Sequence, residues 1–367
     1  MIELRSDTFS LPTGQMLDAI ARAPLGNDGY GEDPTTTRLE ARAAELTGMD
    51  RACLMPSGTM ANLASIMAHA PRGSKILVGA ESDIYLYEAA GASVCGGVSY
   101  EPLPNQADGR ILIRDLEAGF PPDPDDPQFA PPALICLETT HNRCGGAVLP
   151  LDYLREVRRF ARDRGIRIHL DGARLFNAAV ALGVPATRIT EHVDSVQFCL
   201  SKGLGAPVGS IVAGAASFVR RVRRIRKMLG GGMRQTGILA AAGLIGLDQH
   251  QRLAEDHANA RRLAEGLALL NGVEVDPATV TTNIVLFRVT DARFTWRTFA
   301  DAAARRGVAV AEFGHGRLRA VTHSGVSTDD IDVAVSIVAR LLQDVQDRVP
   351  DPWPAAAGPP QRAAEVA

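Results

Sequence analysis

Between about residues 50 and 215 the chain alternates short, mostly apolar runs with helix-length amphipathic stretches, and few folds accommodate that rhythm. Residues 52–55, 75–78, 133–137, 166–170, 195–200 and 209–212 read as strands. Segments such as 151–164 separate most of them and carry helical spacing. Apolar strands joined by helix-length connections suit parallel crossovers buried on both faces. The expectation is an α/β fold on a mainly parallel sheet. Its chemistry should lie in the loops beyond the C-terminal strand ends, where Ser57, His141, Asp171 and Lys202 fall.

Beyond Gly230-Gly231-Gly232 the rhythm changes. A long helical region from Gln235 to about Leu270 precedes a strand–helix–strand–helix order at 283–289, 295–306, 317–322 and 329–345. This predicts a large domain over 1–240 and a smaller C-terminal α+β domain over 241–347, with the N-terminal segment packing on the small domain. With 367 residues, 46% of them hydrophobic, the chain can fill two cores. The proline- and alanine-rich tail 348–367 is expected to be disordered.

A net charge of −3 gives no global pull toward nucleic acid or membrane. Cys53, Cys95, Cys136, Cys144 and Cys199 are scattered and odd in number, with neither metal-ligand spacing nor a disulfide framework. The first seven residues carry no apolar signal region, and no stretch is long and apolar enough to span a bilayer. A cytoplasmic protein acting on a small molecule is expected. The arginine-dense stretch 219–227 has apolar residues at helical spacing. It reads as an amphipathic helix at a subunit interface, with a nucleic-acid or membrane surface as the alternative.

Lysine is scarce: Lys75, Lys202 and Lys227 are the only three among 39 basic residues. Arginine cannot replace an amine in imine formation, because its guanidinium stays protonated. Lys202 follows an apolar run and is flanked by small residues in Ser201-Lys202-Gly203-Leu204-Gly205. Upstream, Pro56-Ser57-Gly58-Thr59 joins a strand to a helix, where backbone N–H groups can cradle a phosphate. Asp171, in His169-Leu170-Asp171-Gly172-Ala173-Arg174, ends a strand and can pair with a protonated ring nitrogen. In that order the three match what pyridoxal phosphate requires. Each alone has a bland reading: a helix cap, an Asp–Arg turn, a surface lysine.

Longer motifs carry a resemblance. They include Leu4-Arg5-Ser6-Asp7-Thr8, Asn27-Asp28-Gly29-Tyr30-Gly31-Glu32-Asp33-Pro34, Pro56-Ser57-Gly58-Thr59-Met60-Ala61-Asn62, Tyr85-Leu86-Tyr87-Glu88 and Glu138-Thr139-Thr140-His141-Asn142. The lysine segment, Gly230-Gly231-Gly232-Met233-Arg234-Gln235 and Arg319-Ala320-Val321-Thr322-His323 complete the series. From about residue 3 to residue 345 the chain resembles the low-specificity L-threonine aldolases of the β-eliminating lyase group, which are fold-type I pyridoxal phosphate enzymes. The resemblance implies a seven-stranded sheet and cleavage of an L-β-hydroxy-α-amino acid to glycine and an aldehyde. It makes Lys202 the imine lysine, Asp171 the ring-nitrogen partner, and Ser57, Gly58 and Thr59 the phosphate cup. Ser6, Arg174 and Arg319 match carboxylate-holding positions, with Arg174 also within reach of the cofactor. Tyr30 matches a residue lining the pocket for the β-substituent. Arg234 matches a position that reaches a neighbouring subunit's cofactor, in a homotetramer built as a pair of dimers.

Two positions depart from the pattern: Asp83 stands where the family usually has a ring-stacking histidine, and Ala90 replaces a glycine. His141 and Asp83 are the candidates for handling the β-hydroxyl proton, His141 preferred because imidazole titrates near neutrality. Asp83 also opens the alternative of a lyase, racemase or specialised aldolase acting on another β-substituted amino acid.

Overall fold

The computed structural model describes residues 1–344, and the tail expected to be disordered lies outside the described residues. After a short strand β1 (Ile2–Glu3) come the helices Gly14–Ala21 and Pro34–Thr47. The large sheet then builds from β2 (Arg51–Met55), β3 (Lys75–Gly79), β4 (Ser99–Leu103), β5 (Pro132–Glu138), β6 (Arg167–Asp171), β7 (Ser195–Cys199) and β8 (Ser210–Gly214). Its spatial order is β2-β8-β7-β6-β5-β3-β4. Strands β4, β3, β5, β6 and β7 run parallel, and β8 lies antiparallel to both β7 and β2. The expected seven-stranded, mainly parallel sheet is present.

Strand β4 escapes sequence reading for a physical reason. Of Ser99, Tyr100, Glu101, Pro102 and Leu103 only Leu103 is buried. The strand sits at the sheet edge, where proline costs no ladder hydrogen bond. Strand β8 pairs antiparallel with β7, so no crossover helix is needed, and the loop between them carries Lys202. Gly209 closes that loop at φ +110, where an L side chain would be strained, and its carbonyl accepts from Leu200 N at 2.9 Å.

Helix Leu151–Asp163 buries Tyr153, Leu154, Val157, Phe160 and Ala161 against one face of the sheet, a stripe at three- and four-residue spacing. Helix Gly58–His69 covers the other face over β6, β7 and β8.

The small domain holds β9 (Val273–Glu274), β10 (Ile284–Val289), β11 (Val308–Ala309), β12 (Ala311–Glu312) and β13 (Leu318–Val321). Four of these form an antiparallel sheet in the order β12-β13-β10-β9. Helices Leu253–Ala268, Trp296–Arg305 and Thr328–Gln343 supply its core. At the N-terminus β1 pairs in parallel with β11, and Leu4 is buried in the same core as these helices.

Two sequence expectations need correction. The helical region 235–270 is two helices, Gly237–Asp248 and Leu253–Ala268, separated by a tight turn over His250–Arg252. The cores also part later than residue 240, because Ala240, Ala242, Leu247 and Leu253 belong to the large core while Ala260 and Leu263 belong to the small one. The first helix is apolar on nearly every side, with Ile238 exposed and Leu239 half-buried, so its periodicity gives no sign of where one core hands over to the next.

Candidate active site

The segments that follow β2, β3, β6 and β7 open onto a cavity of about 320 Å³ lined by Lys202, Asp171, Asp83, Ser57, Gly58 and Thr59. Six of the side chains or backbone groups expected to work together therefore share one space. Ser57 caps helix Gly58–His69, its Oγ accepting from Met60 N at 3.2 Å. The first N–H groups of the helix consequently face the cavity mouth, where a phosphate is favoured. A Cβ on Gly58 would approach Cys199 Sγ to 3.0 Å, so only glycine lets the backbone lie this close to the strand tip.

Asp171 forms the floor. Its Oδ1 accepts from Ala173 N at 3.0 Å and from Gln197 Nε2, and its Oδ2 accepts from Asn62 Nδ2 at 2.8 Å. Register explains the Gln197 contact, since Asp171 and Gln197 are paired neighbours on β6 and β7. Burial raises the Asp171 pKa, Asp83 adds to the rise, and Lys202 opposes it. Burial and then Asp171 also push Glu88 well above the usual carboxylate range. For Lys202, burial favours the neutral amine, but Cys199 and the carboxylates of Asp83 and Asp7 outweigh it and raise the pKa. A protonated ring nitrogen would relieve the crowding of carboxylates at the floor. Gln197 Oε1 is a buried acceptor without a partner in this cavity. Amine, anionic floor, helix end and side-chain-free glycine together fit pyridoxal phosphate.

The arginines are set back from the lining. Arg174 is buried and donates twice to Asp7, at 2.7 and 2.8 Å, so that charge is already neutralised. Asp7 is held well below its ordinary pKa; burial works against this, but the Arg174 guanidinium prevails. Arg319 has no carboxylate partner among the described residues. It donates to Asn142 Oδ1 at 2.8 Å and to the Arg5 carbonyl at 2.9 Å, while its Nε is buried and unpartnered. Burial and the nearby Arg174 lower its pKa to about 10. Ser6 lies between Arg5, which meets Arg319, and Asp7, which holds Arg174. The N-terminal strand segment thus joins both guanidiniums.

Asp83 begins the turn after β3, and its carboxylate accepts from Asn142 Nδ2 at 3.1 and 3.2 Å. Its backbone N–H donates to Glu138 at the end of β5. His141 is not part of the cavity lining. Its ring is fully buried with neither nitrogen hydrogen-bonded, and burial lowers its pKa to about 4.

Tyr30 and Arg234 stand apart from the Lys202 cavity of their own chain. Tyr30 is 80% exposed. Arg234 lines a separate and larger cavity, about 830 Å³, with Asp28, Arg226 and Lys227, and the Arg234 carbonyl accepts from Asp28 N at 2.9 Å. Helix Ala216–Met228 buries Phe218, Val219 and Val222 as its spacing predicts. Two of its arginines turn inward, Arg223 to Glu40 and Arg226 to Asp28. That leaves less of a basic face than the sequence suggests.

Sequence reading passed over Asn62, Gln197, Glu138, Asn142 and Asp7 as contributors. A signal existed for Gln197, a polar residue inside a fully buried strand. Asn62 lies four residues into the helix from Gly58, one turn deeper on the same face.

Solved structures sharing this architecture include pyridoxal phosphate enzymes; fold type I of that class is what the sheet and its lysine loop define. The chain belongs to the β-eliminating lyase family, whose model matches residues 3–290. It is 40% identical over 350 residues to low-specificity L-threonine aldolase 1 of Arabidopsis thaliana, covering 94% of this chain and 98% of that protein. With the low specificity L-threonine aldolase of Escherichia coli K12 it shares 47% identity over 268 residues, covering 73% and 79%. The solved threonine aldolase of Leishmania major has a TM-score of 0.79 at 17% identity, covering 93% of this chain and 100% of that one.

Proposed function

We propose that this protein is a pyridoxal phosphate-dependent aldolase that cleaves threonine- or allo-threonine-like L-β-hydroxy-α-amino acids to glycine and an aldehyde. One observation carries the reading: Lys202 and Asp171 share a cavity with a helix N-terminus. When bound, the cofactor supplies an electron sink for the pair released as a bond at the substrate α-carbon breaks. Lys202 would hold its aldehyde carbon, Asp171 its ring nitrogen, and the Ser57–Thr59 backbone its phosphate. Arg319, which lacks a carboxylate partner among the described residues, holds the substrate carboxylate, with Ser6 and the Arg174–Asp7 pair fixing its orientation.

The β-hydroxyl proton goes to Asp83, which lines the cavity. His141, favoured on sequence grounds, is displaced from that role because it lies outside the lining and burial weakens it as a base. Asn142 donates to Asp83 and accepts from Arg319, so the proton acceptor and the carboxylate holder share one amide. Asp83 also favours a second reading on the same scaffold. A lyase, racemase or specialised aldolase would use this anion to prefer a cationic or hydroxyl-rich β-substituent.

Sites shared within a homotetramer are part of the proposal, supported by the distance of Tyr30 and Arg234 from their own chain's lysine cavity. A reducing, cytoplasmic setting suits the five unbridged cysteines.

The decisive measurement is aldehyde release across a panel of β-hydroxy amino acids, for the native chain, Lys202→Ala and Asp83→His. We expect activity in the native protein, none in K202A together with loss of the borohydride-reducible chromophore, and a shift toward threonine in D83H. No aldehyde from any substrate would favour elimination or racemisation. A chromophore surviving in K202A would refute the lysine assignment.

A further inference from the structure

The face of the large sheet beneath helix Gly58–His69 carries a buried polar seam leading away from the cavity. His169 and Asp171 are two apart on β6, Ser195 and Gln197 two apart on β7, and so each pair points to one side of the sheet. Asn62 and His69, seven apart, lie on one face of the helix above. The seam has defined contacts. Asn62 Nδ2 donates to Asp171 Oδ2 at 2.8 Å and to Glu88 Oε1 at 2.8 Å. Asn62 Oδ1 meets His169 Nε2 at 3.0 Å, His169 Nδ1 meets Ser195 Oγ at 2.8 Å, and Ser195 Oγ meets His69 Nε2 at 2.8 Å.

Proton positions follow from the first link. Both amide hydrogens of Asn62 go to carboxylates, so Oδ1 can only accept, and His169 must carry its proton on Nε2. His169 Nδ1 is then a bare acceptor, which the Ser195 hydroxyl satisfies by donating. Ser195 Oγ in turn accepts from His69 Nε2–H. His69 Nδ1 ends the chain, buried and without a partner, while the ring stacks on Phe218 at 4.3 Å. Burial keeps both imidazoles neutral, lowering His169 to about 3 and His69 to about 2. His169, Arg167 and Arg221 also disfavour charge on His69. Every donor points toward Asp171.

We propose that His69, Ser195, His169 and Asn62 form a one-way hydrogen-bond chain that keeps Asp171 an ionised, fixed acceptor for the cofactor's ring nitrogen, with His169 its central positioning residue. The need is local. Burial and the neighbouring Asp83, Glu88 and Glu138 work against charge on Asp171, and Lys202 with the Asn62 and Gln197 hydrogen bonds opposes them. Fold stability alone gives little reason for the seam, since apolar groups of matching shape would pack there at no loss. The proposal rests on the assignment of Lys202 and Asp171 as cofactor anchors.

The test uses the cofactor-loaded full chain with H169L, H169Q and S195A, reading the pH midpoint of the visible band and the cofactor dissociation constant. In H169L a less firmly ionised Asp171 leaves the ring nitrogen less protonated. Loss of that positive charge favours the protonated form of the neighbouring imine, so the midpoint should rise by about half a pH unit. The dissociation constant should rise about tenfold. H169Q retains an amide donor toward Asn62 and should recover part of both changes, and S195A should shift the same way by less. An H169L midpoint equal to wild type, even with a lower melting temperature, overturns the proposal. Should H169L fail to fold, an unmoved S195A midpoint overturns it. Absence of the band from the wild type would instead sink the anchor assignment.

Discussion

His141 illustrates how burial redirects a side chain whose solution chemistry suits proton transfer. Its folded pKa of about 4 lies below the ordinary 6.5, so the unfolded chain takes up the proton first as pH falls. Stability is therefore lost as pH drops through 6.5 toward 4. His141→Gln should remove that loss. Relative to wild type, the variant should gain up to about 3 kcal/mol between pH 7 and pH 4 in denaturant unfolding. Parallel pH profiles for the two proteins would mean that the folded ring titrates where the unfolded one does. The raised carboxylates Glu138 and Asp171 act in the opposite direction, but they are common to both proteins and cancel. Lys202 and Asp171 stood out through residue type and strand-end position, Asp83 only through the family resemblance, and all three line one cavity. Arg174 was legible as a carboxylate partner, but the sequence offered no sign that Asp7 already occupies it.

Among elements, helix Gly58–His69 does two jobs: its N-terminus lines the cavity at the proposed phosphate site and its buried face carries the polar seam. Gly58→Ala tests the first. The added Cβ, 3.0 Å from Cys199 Sγ, must shift the helix end by a few tenths of an ångström. We expect cofactor affinity to fall about tenfold, the worth of one charge-assisted hydrogen bond, with little change in unfolding of the apoprotein. Unchanged affinity would show that the helix end does not bear the phosphate. The 56–62 segment announced itself through its cap and small residues. Strand β4 did not, because an edge strand with one buried side chain lacks a periodic signature. The break near Gln249 was equally silent, since two helices joined by a short turn read as one.

At the scale of the molecule, neither Arg234 nor Tyr30 lines its own chain's cavity, and the proposed shared site predicts complementation. Lys202→Ala and Arg234→Ala chains should each be inactive alone. Mixed and reassembled, they should recover roughly a quarter of wild-type activity, because half the dimers are hybrid and each hybrid regains one of two sites. No recovery on mixing would mean that Arg234 does not complete a site in the neighbouring chain.

The order of strands and helices, the lone amine beyond a strand tip and the carboxylate two links upstream were all determined by the sequence, because periodicity and residue chemistry are local properties. Tertiary structure alone decided which charges meet. It gave Arg174 to Asp7, left Arg319 without a counter-ion, sealed His141 away from the cavity and aligned Asn62 with two histidines. Those outcomes depend on strand register and on distances across more than a hundred residues of chain, which no local pattern encodes.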